Sequence, residues 1–361
     1  MKQHVGDEFP CYRVAAVQAA PVFLDREATL NKLGGLVAAA AHGGARLVVL
    51  GESFVPGFPV WNNVLAPIDQ HSFFRRLYEN ALLVPSPQTE RIAALARRHG
   101  VYLSVGVTER SPISMGGLYN TNLLFDPHGE LINRHRKLVP TWAEKLTWAG
   151  GDASQLRPVE TELGRLGVLI CGENTNPLAR YALLAQGEQL HISTYPTAWP
   201  FKAADEAGNY DIRRAIEIRA AAHAFEGKVF NVVAALVLDD DAISQIARGD
   251  ERVEAALRAA PEPVSLVVDP NGEPCGSPPP TGEGIVFADV DLSASIEAKQ
   301  IHDIVGYYQR CDVLSLRLDQ RPQAPIVWVG APDADPARDE PAVEFELPSL
   351  SGAAAATNHG R

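Results

Sequence analysis

The sequence has few cysteines, no long apolar run and no cluster of basic residues. Its four cysteines, Cys11, Cys171, Cys275 and Cys311, lie far apart and show no CxxC spacing. This spacing predicts neither a zinc site nor a disulfide framework, so no metal is expected. Free thiols indicate a reducing compartment, which makes the cytoplasm the expected location. No apolar stretch approaches the length needed to cross a bilayer, so no membrane span is expected.

The overall charge argues against nucleic acid and anionic membranes as partners. The formal net charge of the 361-residue chain is -12, and basic side chains are dispersed. The N-terminal segment MKQHVGDEFPCYR lacks the apolar core of a signal peptide, which again favours the cytoplasm. A content of 46% hydrophobic and 21% charged residues is that of an ordinary globular protein.

Short apolar runs alternate with amphipathic segments through the first half of the chain. Strands are predicted over 12–18, 46–50, 101–107 and 118–125. One helix is predicted after Asp25, with Leu30, Leu33, Val37 and Ala40 on its apolar face, and another from Pro87 to a stop at Gly100. This alternation predicts an α/β fold with a mixed sheet.

Two further expectations concern the second half of the chain. Residues 266–269 and 284–290 are predicted to pair as strands around a turn. From about Gly330 the sequence becomes rich in Pro, Ala, Asp and Gly. We therefore predict one domain over residues 1–330 and a tail over 331–361 that is poorly ordered or binds a partner.

The segment RLGVLICGENTN, residues 165–176, contains the first candidate for chemistry. A buried strand is predicted to end at Cys171, where Gly172 and Glu173 begin a turn and a helix N-terminus. Backbone N–H groups at such a place favour a reactive thiolate. Taken alone, the segment fits a small buried hydrophobe better, because free cysteine is among the most buried residue types.

Two charged residues complete a possible reaction centre. Glu52 directly follows an apolar strand, where α/β folds place ligands, although a surface glutamate is an equal alternative. Lys137 has basic neighbours and, alone, fits a solvated face better. Together the three residues are chemically coherent: Glu52 can take the proton of Cys171, and Lys137 can stabilise a developing negative charge.

These segments, in this order, resemble the nitrilase (carbon–nitrogen hydrolase) superfamily. The similar pieces include VAAVQAAPVFLD, LVVLGESFVPGFP, HRKLVPTWAEKLTWAGGD and GVLICGENTNPLARYALLAQGEQLH, and the resemblance extends from about Tyr12 to Leu316. The PT-x-x-E-x-x-x-W-x-x-GD pattern is similar to the nitrilase branch. The resemblance implies a four-layer α-β-β-α sandwich and a Glu52–Lys137–Cys171 triad, with Glu144 as a supporting carboxylate.

The resemblance also implies an activity without any metal or organic cofactor. A small organic nitrile would be hydrolysed to a carboxylic acid and ammonia through a cysteine thioimidate and an acyl thioester. An amidase, or a hydratase of nitriles or cyanide that stops at the amide, is an alternative within the superfamily. A non-catalytic scaffold of the same fold is a third.

The residues beside the motifs are candidates for lining the substrate pocket. They are Trp142, Gly172, Glu173, Tyr195 and Trp199. For the three aromatic residues, core packing is an equally good interpretation. Gly172 stands where nitrilases usually have tryptophan, and it is expected to widen the space beside the thiol. Near the end of the chain, the segment GYYQRCD has Tyr307 and Cys311 where a GHYxRPD pattern is common.

The resemblance further implies a homo-oligomer, possibly a spiral or filament built from dimers. Protomers of the superfamily commonly pair through the helix after the nucleophile. That helix is predicted here over 177–186, with Leu178, Tyr181, Ala182 and Ala185 on its apolar face.

Overall fold

The structure is a computed structural model that describes residues 9–324 and 326. The strands of this part of the chain are β1 (Cys11–Gln18), β2 (Ala45–Val49), β3 (Tyr102–Arg110), β4 (Leu118–Phe125), β5 (Leu131–Arg136), β6 (Val159–Thr161), β7 (Gly164–Ile170), β8 (Leu190–Tyr195), β9 (Phe230–Ala235), β10 (Leu266–Val268), β11 (Pro274–Cys275) and β12 (Gly284–Asp291). The α-helices are α1 (Arg26–His42), α2 (His71–Asn80), α3 (Pro87–His99), α4 (Pro177–Ala185), α5 (Ile212–Gly227), α6 (Asp240–Ala247), α7 (Glu251–Ala259) and α8 (Ala294–Ile301).

The strands form two mixed sheets of six strands each. Their orders are β12-β1-β2-β3-β4-β5 and β11-β10-β9-β8-β7-β6. The two sheets pack face to face, because Val14 of the first and Val168, Ile192 and Val232 of the second belong to one buried apolar cluster. The inner layer of the core therefore lies between the sheets.

Helices cover the outer face of each sheet. Alternate residues of β1 point to opposite faces, so Ala15 packs with Leu33 and Val37 of α1 on the outer side of the first sheet. On the second sheet, Val233 packs with Ile216 of α5. Burial on both faces explains why these strands are apolar throughout. The layers follow the order α-β-β-α, which confirms the predicted fold.

The helix ends follow the signals in the sequence. Asp25 caps α1 by accepting a hydrogen bond from the N–H of Ala28. Ser86 and Thr89 form a capping box at the start of α3, and Gly100 ends that helix with a φ of 62°. Both predictions are confirmed to within a residue.

One strand pairing and several helices differ from the sequence-based expectation. The predicted pairing of 266–269 with 284–290 is wrong, since β10 lies between β9 and β11 while β12 pairs with β1 in the other sheet. Three consecutive prolines at 278–280 separate the two strands, and the chain passes from one sheet to the other there. The sequence analysis also missed α2, α6, α7 and α8.

The described helices are all too short or too polar to cross a membrane. The compact unit that contains these elements ends at Pro322. The predicted tail over 331–361 lies outside the described residues, so its role stays a prediction.

Candidate active site

Three strand ends bring the candidate residues together. Lys137 directly follows β5, Cys171 directly follows β7, and Glu52 lies three residues after β2. One carboxylate oxygen of Glu52, one of Glu144 and the Sγ of Cys171 lie within 4.8 Å of one another. The four residues that the sequence singled out therefore share one site.

Lys137 joins the two carboxylates. Its Nζ lies 2.6 Å from Oε1 of Glu52 and 2.6 Å from Oε2 of Glu144, and all three side chains are buried. A buried charge is tolerated only where it is paired and hydrogen-bonded. The ammonium group is held at a fixed position beside the thiol.

Only one oxygen of Glu52 is occupied by other side chains. Oε1 accepts hydrogen bonds from Lys137 and, at 2.6 Å, from Nδ2 of Asn120. The other oxygen, Oε2, is buried and has no hydrogen-bond partner. A buried acceptor without a donor is uncommon and suits an atom that takes up a proton during a reaction.

Asn120 was missed by the sequence analysis. It lies on β4, in the otherwise mostly apolar run LYNTNLLF, and it is buried. A polar residue at a core position of a strand was the available signal. The side chain fixes which oxygen of Glu52 remains open.

Close backbone contacts hold Glu52 in place. The Glu52 N–H donates to the carbonyl of Tyr195, at the end of β8 in the other sheet. On β3, a Cβ at Gly106 would lie 2.2 Å from the carbonyl oxygen of Gly51. Glycine at 106 therefore allows the loop that bears Glu52 to press against the sheet.

Burial and neighbouring charges set the protonation of the site. Burial raises the pKa of Glu52 to about 7; the positive charge of Lys137 opposes this rise, and the negative charge of Glu144 adds to it. Burial favours neutral Lys137, but the charges of Glu144 and Glu52 outweigh it and raise the pKa of Lys137. Lys137 is therefore a cation at neutral pH.

The thiol is less acidic than the sequence suggested. Burial and the negative charge of Glu52 raise the pKa of Cys171 well above its usual value, against the opposing charge of Lys137. The expectation that helix donors favour a thiolate is wrong for this structure. Cys171 begins a 3₁₀ turn (Cys171–Thr175), and α4 starts only at Pro177. The resting site thus pairs a neutral thiol with a nearby base.

The backbone of Cys171 is in an unusual conformation. Its φ is 48°, in the left-handed region that residues other than glycine rarely adopt. Such strain clusters at functional sites, where surrounding contacts impose it. The turn exposes about 7% of Cys171, so the thiol is nearly enclosed.

The other predicted pocket residues occupy different environments. Tyr195 is fully buried and its hydroxyl has no hydrogen-bond partner. Trp142 is half exposed, and its ring centroid lies 6.2 Å from that of Trp199 and 5.1 Å from that of Phe201. These three rings form an aromatic group next to the motif segments.

Glu173 and Gly172 both line a cavity of about 280 Å³. The carboxylate of Glu173 accepts hydrogen bonds from the N–H groups of Leu138 and Ile170 and contacts Nε2 of His135 at 2.9 Å, all within the protein. A Cβ at Gly172 would lie 2.6 Å from Oγ1 of Thr141. The space next to Gly172 is therefore occupied on that side by Thr141, which lines the same cavity as Leu138 and Trp142.

A second cation near the thiol was also missed. Arg219 on α5 donates to Oγ1 of Thr175 at 2.7 Å and to the hydroxyl of Tyr210 at 2.8 Å. Its positive charge lowers the pKa of Cys171 and Tyr195, though in both less than burial raises it. No role was predicted for it from the sequence, because nothing within α5 itself indicates that this arginine lies near Cys171.

Two clusters in the described part of the chain have the composition of a metal site. They are Glu52–Glu144–Cys171 and Glu188–His191–His223. In the first, the Lys137 ammonium group already supplies the cation between the carboxylates. In the second, both imidazole rings hydrogen-bond to Glu188.

Comparisons with known proteins agree with this geometry. The family model for carbon–nitrogen hydrolases matches residues 13–300. The chain is 37% identical to a nitrilase of Paraburkholderia phymatum, over 87% of this chain and 88% of that protein. It is 33% identical to a bifunctional nitrilase/nitrile hydratase of Lupinus angustifolius, over 89% of this chain and 90% of that protein.

The fold is also found among solved structures. A carbon–nitrogen hydrolase from Helicobacter pylori superposes with a TM-score of 0.63 at 19% identity, covering 84% of this chain and 97% of that one. The family match spans both sheets and every strand end that bears a candidate residue. The chain belongs to the carbon–nitrogen hydrolase family, in its nitrilase branch.

Proposed function

We propose that the protein is a nitrilase that hydrolyses a small organic nitrile to the carboxylic acid and ammonia. The observation that supports this most is the enclosed group of Glu52, Lys137 and Cys171, with Oε2 of Glu52 free to accept a proton. The names of the related proteins point to the same substrate class.

The first step forms the covalent intermediate. Because the pKa of Cys171 is raised, its proton moves to Glu52 as the sulfur attacks the nitrile carbon. The C–S bond forms while one π bond of the nitrile breaks, and the nitrogen takes the proton from Glu52 to give a thioimidate. Glu52 is then a carboxylate again. Lys137 stabilises the negative charge that develops on the nitrogen.

Two molecules of water complete the reaction. Glu52 takes a proton from the first water, which adds to the thioimidate carbon; the tetrahedral intermediate then expels ammonia and leaves an acyl thioester. The second water adds in the same way and releases the carboxylic acid and the thiol. Glu144 holds Lys137 in place throughout, through its 2.6 Å contact.

An amide product is the second candidate. If the tetrahedral intermediate expels the thiol rather than ammonia, the product is the amide. The name of the Lupinus angustifolius relative includes both outcomes. A scaffold without activity is disfavoured, because a buried Lys137 between two carboxylates has no use in partner binding and costs desolvation.

The pocket and the assembly are part of the same proposal. We place Trp142, Trp199 and Tyr195 at the substrate, and we assign Glu173 to holding the ends of β5 and β7. For assembly, α4 presents exposed Leu178 and Ala185 and half-buried Tyr181, whereas Ala182 packs inside its own chain. A homo-oligomer in the cytoplasm would bury this face.

A product assay tests the activity. Purified protein is mixed with a panel of aliphatic, aryl and arylaliphatic nitriles, and acid, amide and ammonia are quantified. The nitrilase proposal expects acid and ammonia in equal amounts from at least one nitrile. Amide as the main product would support the second candidate, and hydrolysis of amides alone would point to an amidase. No product from any nitrile or amide would favour the scaffold.

A further inference from the structure

A buried polar cluster lies directly under the turn that bears Cys171. It consists of six side chains between the second sheet and helices α4 and α5, none more than 2% exposed: Asn174, Glu188, His191, Ser193, His223 and Asn231. None of these six side chains hydrogen-bonds to the side chain of Glu52, Lys137 or Cys171. Burying this many polar groups is costly unless each finds a partner, so the cluster needs an explanation.

Glu188 is the charged centre of the buried polar cluster. Its Oε1 lies 2.6 Å from Nδ1 of His191, and its Oε2 lies 2.7 Å from Nε2 of His223. Although burial opposes it, the charges and hydrogen bonds of the two histidines lower the pKa of Glu188 to about 2. Burial lowers the pKa of His223 to about 4. Glu188 is thus a carboxylate, and His223 is neutral.

Asn174 connects the cluster to the backbone at Cys171. Its Nδ2 donates to the carbonyl of Cys171 at 3.2 Å and to the carbonyl of Leu169 at 3.3 Å. These two acceptors orient the amide, so Oδ1 of Asn174 must accept. It lies 2.9 Å from Nε2 of His191.

The hydrogen bonds assign two ring protons to His191. Nε2 must donate to Oδ1 of Asn174, and Nδ1 must donate to the carboxylate of Glu188. The single hydroxyl proton of Ser193 goes to the nearer acceptor, Oδ1 of Asn231 at 2.9 Å, rather than to Asn174 at 3.2 Å. The ring of His191 therefore links the carboxylate of Glu188 to the amide of Asn174.

A glycine on β7, the strand that leads to Cys171, makes room for the side chain of Glu188. A Cβ at Gly167 on β7 would lie 1.8 Å from Oε1 of Glu188. Only glycine leaves room for the carboxylate at this place, four residues before the thiol.

We propose that Glu188, His191 and Asn174 are positioning residues that hold the left-handed backbone of Cys171 and thereby aim its thiol at Glu52. The inference rests on the nucleophilic role proposed for Cys171. A misplacement of about 1 Å in a reacting group lowers the rate by about a hundredfold, so loss of the contact to Asn174 should be visible in kcat.

Two substitutions of His191 give a matched test. His191→Gln keeps a donor at the place of Nε2, facing Asn174, whereas His191→Asn keeps a donor at the place of Nδ1, facing Glu188. Both remove one imidazole from the same buried site. We expect His191→Asn to lower kcat by about tenfold to a hundredfold with KM changed less than about threefold, and His191→Gln to keep kcat within about threefold.

A second pair of variants tests the same contacts at residues other than His191. Asn174→Asp keeps an acceptor for His191 and loses the donors to both carbonyls, so it should resemble His191→Asn. Ser193→Ala removes a buried hydroxyl of the cluster outside the proposed chain and should keep kcat. Circular dichroism and Tm establish that each variant is folded before its kinetics are compared.

A second measurement of the position of the thiol does not depend on nitrile turnover. It is the rate at which iodoacetamide alkylates Cys171, followed by peptide mass spectrometry. It should fall in His191→Asn and Asn174→Asp and persist in His191→Gln and Ser193→Ala. If the wild type hydrolyses no nitrile, the proposed function fails while this readout still tests the positioning. Equal kcat and equal alkylation in the two His191 variants would overturn the inference.

Discussion

Lys137 and Glu52 form a salt bridge with 2.6 Å between Nζ and Oε1, and neither side chain is exposed to solvent. The bond occupies one oxygen of the base, while the other, Oε2, is buried and has no hydrogen-bond partner. In this arrangement a single lysine both lowers the cost of burying Glu52 and supplies the positive charge for the reaction.

The rate should depend on the ionisation of Glu52. Glu52 acts as a base only when deprotonated, and burial raises its pKa to about 7. We therefore expect kcat/KM to rise about tenfold per pH unit below about 7 and to level off above it. Initial rates across this range, with circular dichroism at each pH, test the prediction. A profile that is flat between about pH 5 and 7 would assign the base to another group.

Lys137→Met should remove activity and stability together. The change leaves Glu52 and Glu144 as two buried carboxylates without a cation, which typically costs about 3–5 kcal/mol. Adding Glu144→Gln to this variant removes one uncompensated charge. The double variant should therefore unfold at higher urea than Lys137→Met and remain inactive. If the double variant were the less stable of the two, the charge argument would be wrong.

Gly172→Ala should disturb the site through Thr141. The added Cβ would lie 2.6 Å from Oγ1 of Thr141, and overpacking of this kind costs about 1–3 kcal/mol. Thr141→Ala in the same chain should restore stability, because the next atom, Cβ of Thr141, is 3.8 Å away. Gly172→Trp should further shift the preference toward smaller nitriles. If Gly172→Ala has the same Tm with and without Thr141→Ala, overpacking against Thr141 does not explain its effect.

His223 should make the fold sensitive to acid. Its pKa is about 4 in the fold and about 6.5 in the unfolded chain, so between these values the unfolded state binds more protons. The free energy of unfolding should then fall by about 3 kcal/mol as the pH drops from about 6.5 to 4. Urea denaturation at several pH values, compared between wild type and His223→Gln, measures this part of the slope. His42→Gln, which removes an exposed imidazole, is the matched control; a slope unchanged in His223→Gln would contradict the prediction.

The sequence predicted local structure well where a local signal existed. Asp25 and Ser86 begin helices because a side-chain oxygen caps the first turn, and Gly100 ends one through its left-handed backbone. Strand pairing was predicted less well. β12 joins β1, about 270 residues earlier in the chain, and no periodicity within either strand encodes that partner.

At the site, too, residues with a local sequence signal were predicted and residues brought in by long-range contacts were not. Glu52, Lys137 and Cys171 stand next to apolar strands, and the resemblance of their motifs predicted that they share one site. Asn120 and Arg219 were not predicted as site residues, because only the tertiary structure brings these residues of β4 and α5 close to Glu52 and Cys171. The direction predicted for the pKa shift of Cys171 was also wrong, because the burial of the thiol and its distance from Glu52 depend on the tertiary structure.

Covalent catalysis by Cys171 is tested most directly by the rate of ammonia release from Cys171→Ala. This rate is compared with that of a variant in which Cys11, Cys275 and Cys311 are all alanine. Both proteins lose thiols, but only the first loses the one beside Glu52 and Lys137. The account predicts no detectable ammonia from folded Cys171→Ala and a rate within about threefold of wild type from the triple variant. Nitrile hydrolysis by Cys171→Ala at more than about a tenth of the wild-type rate would contradict covalent catalysis by this residue.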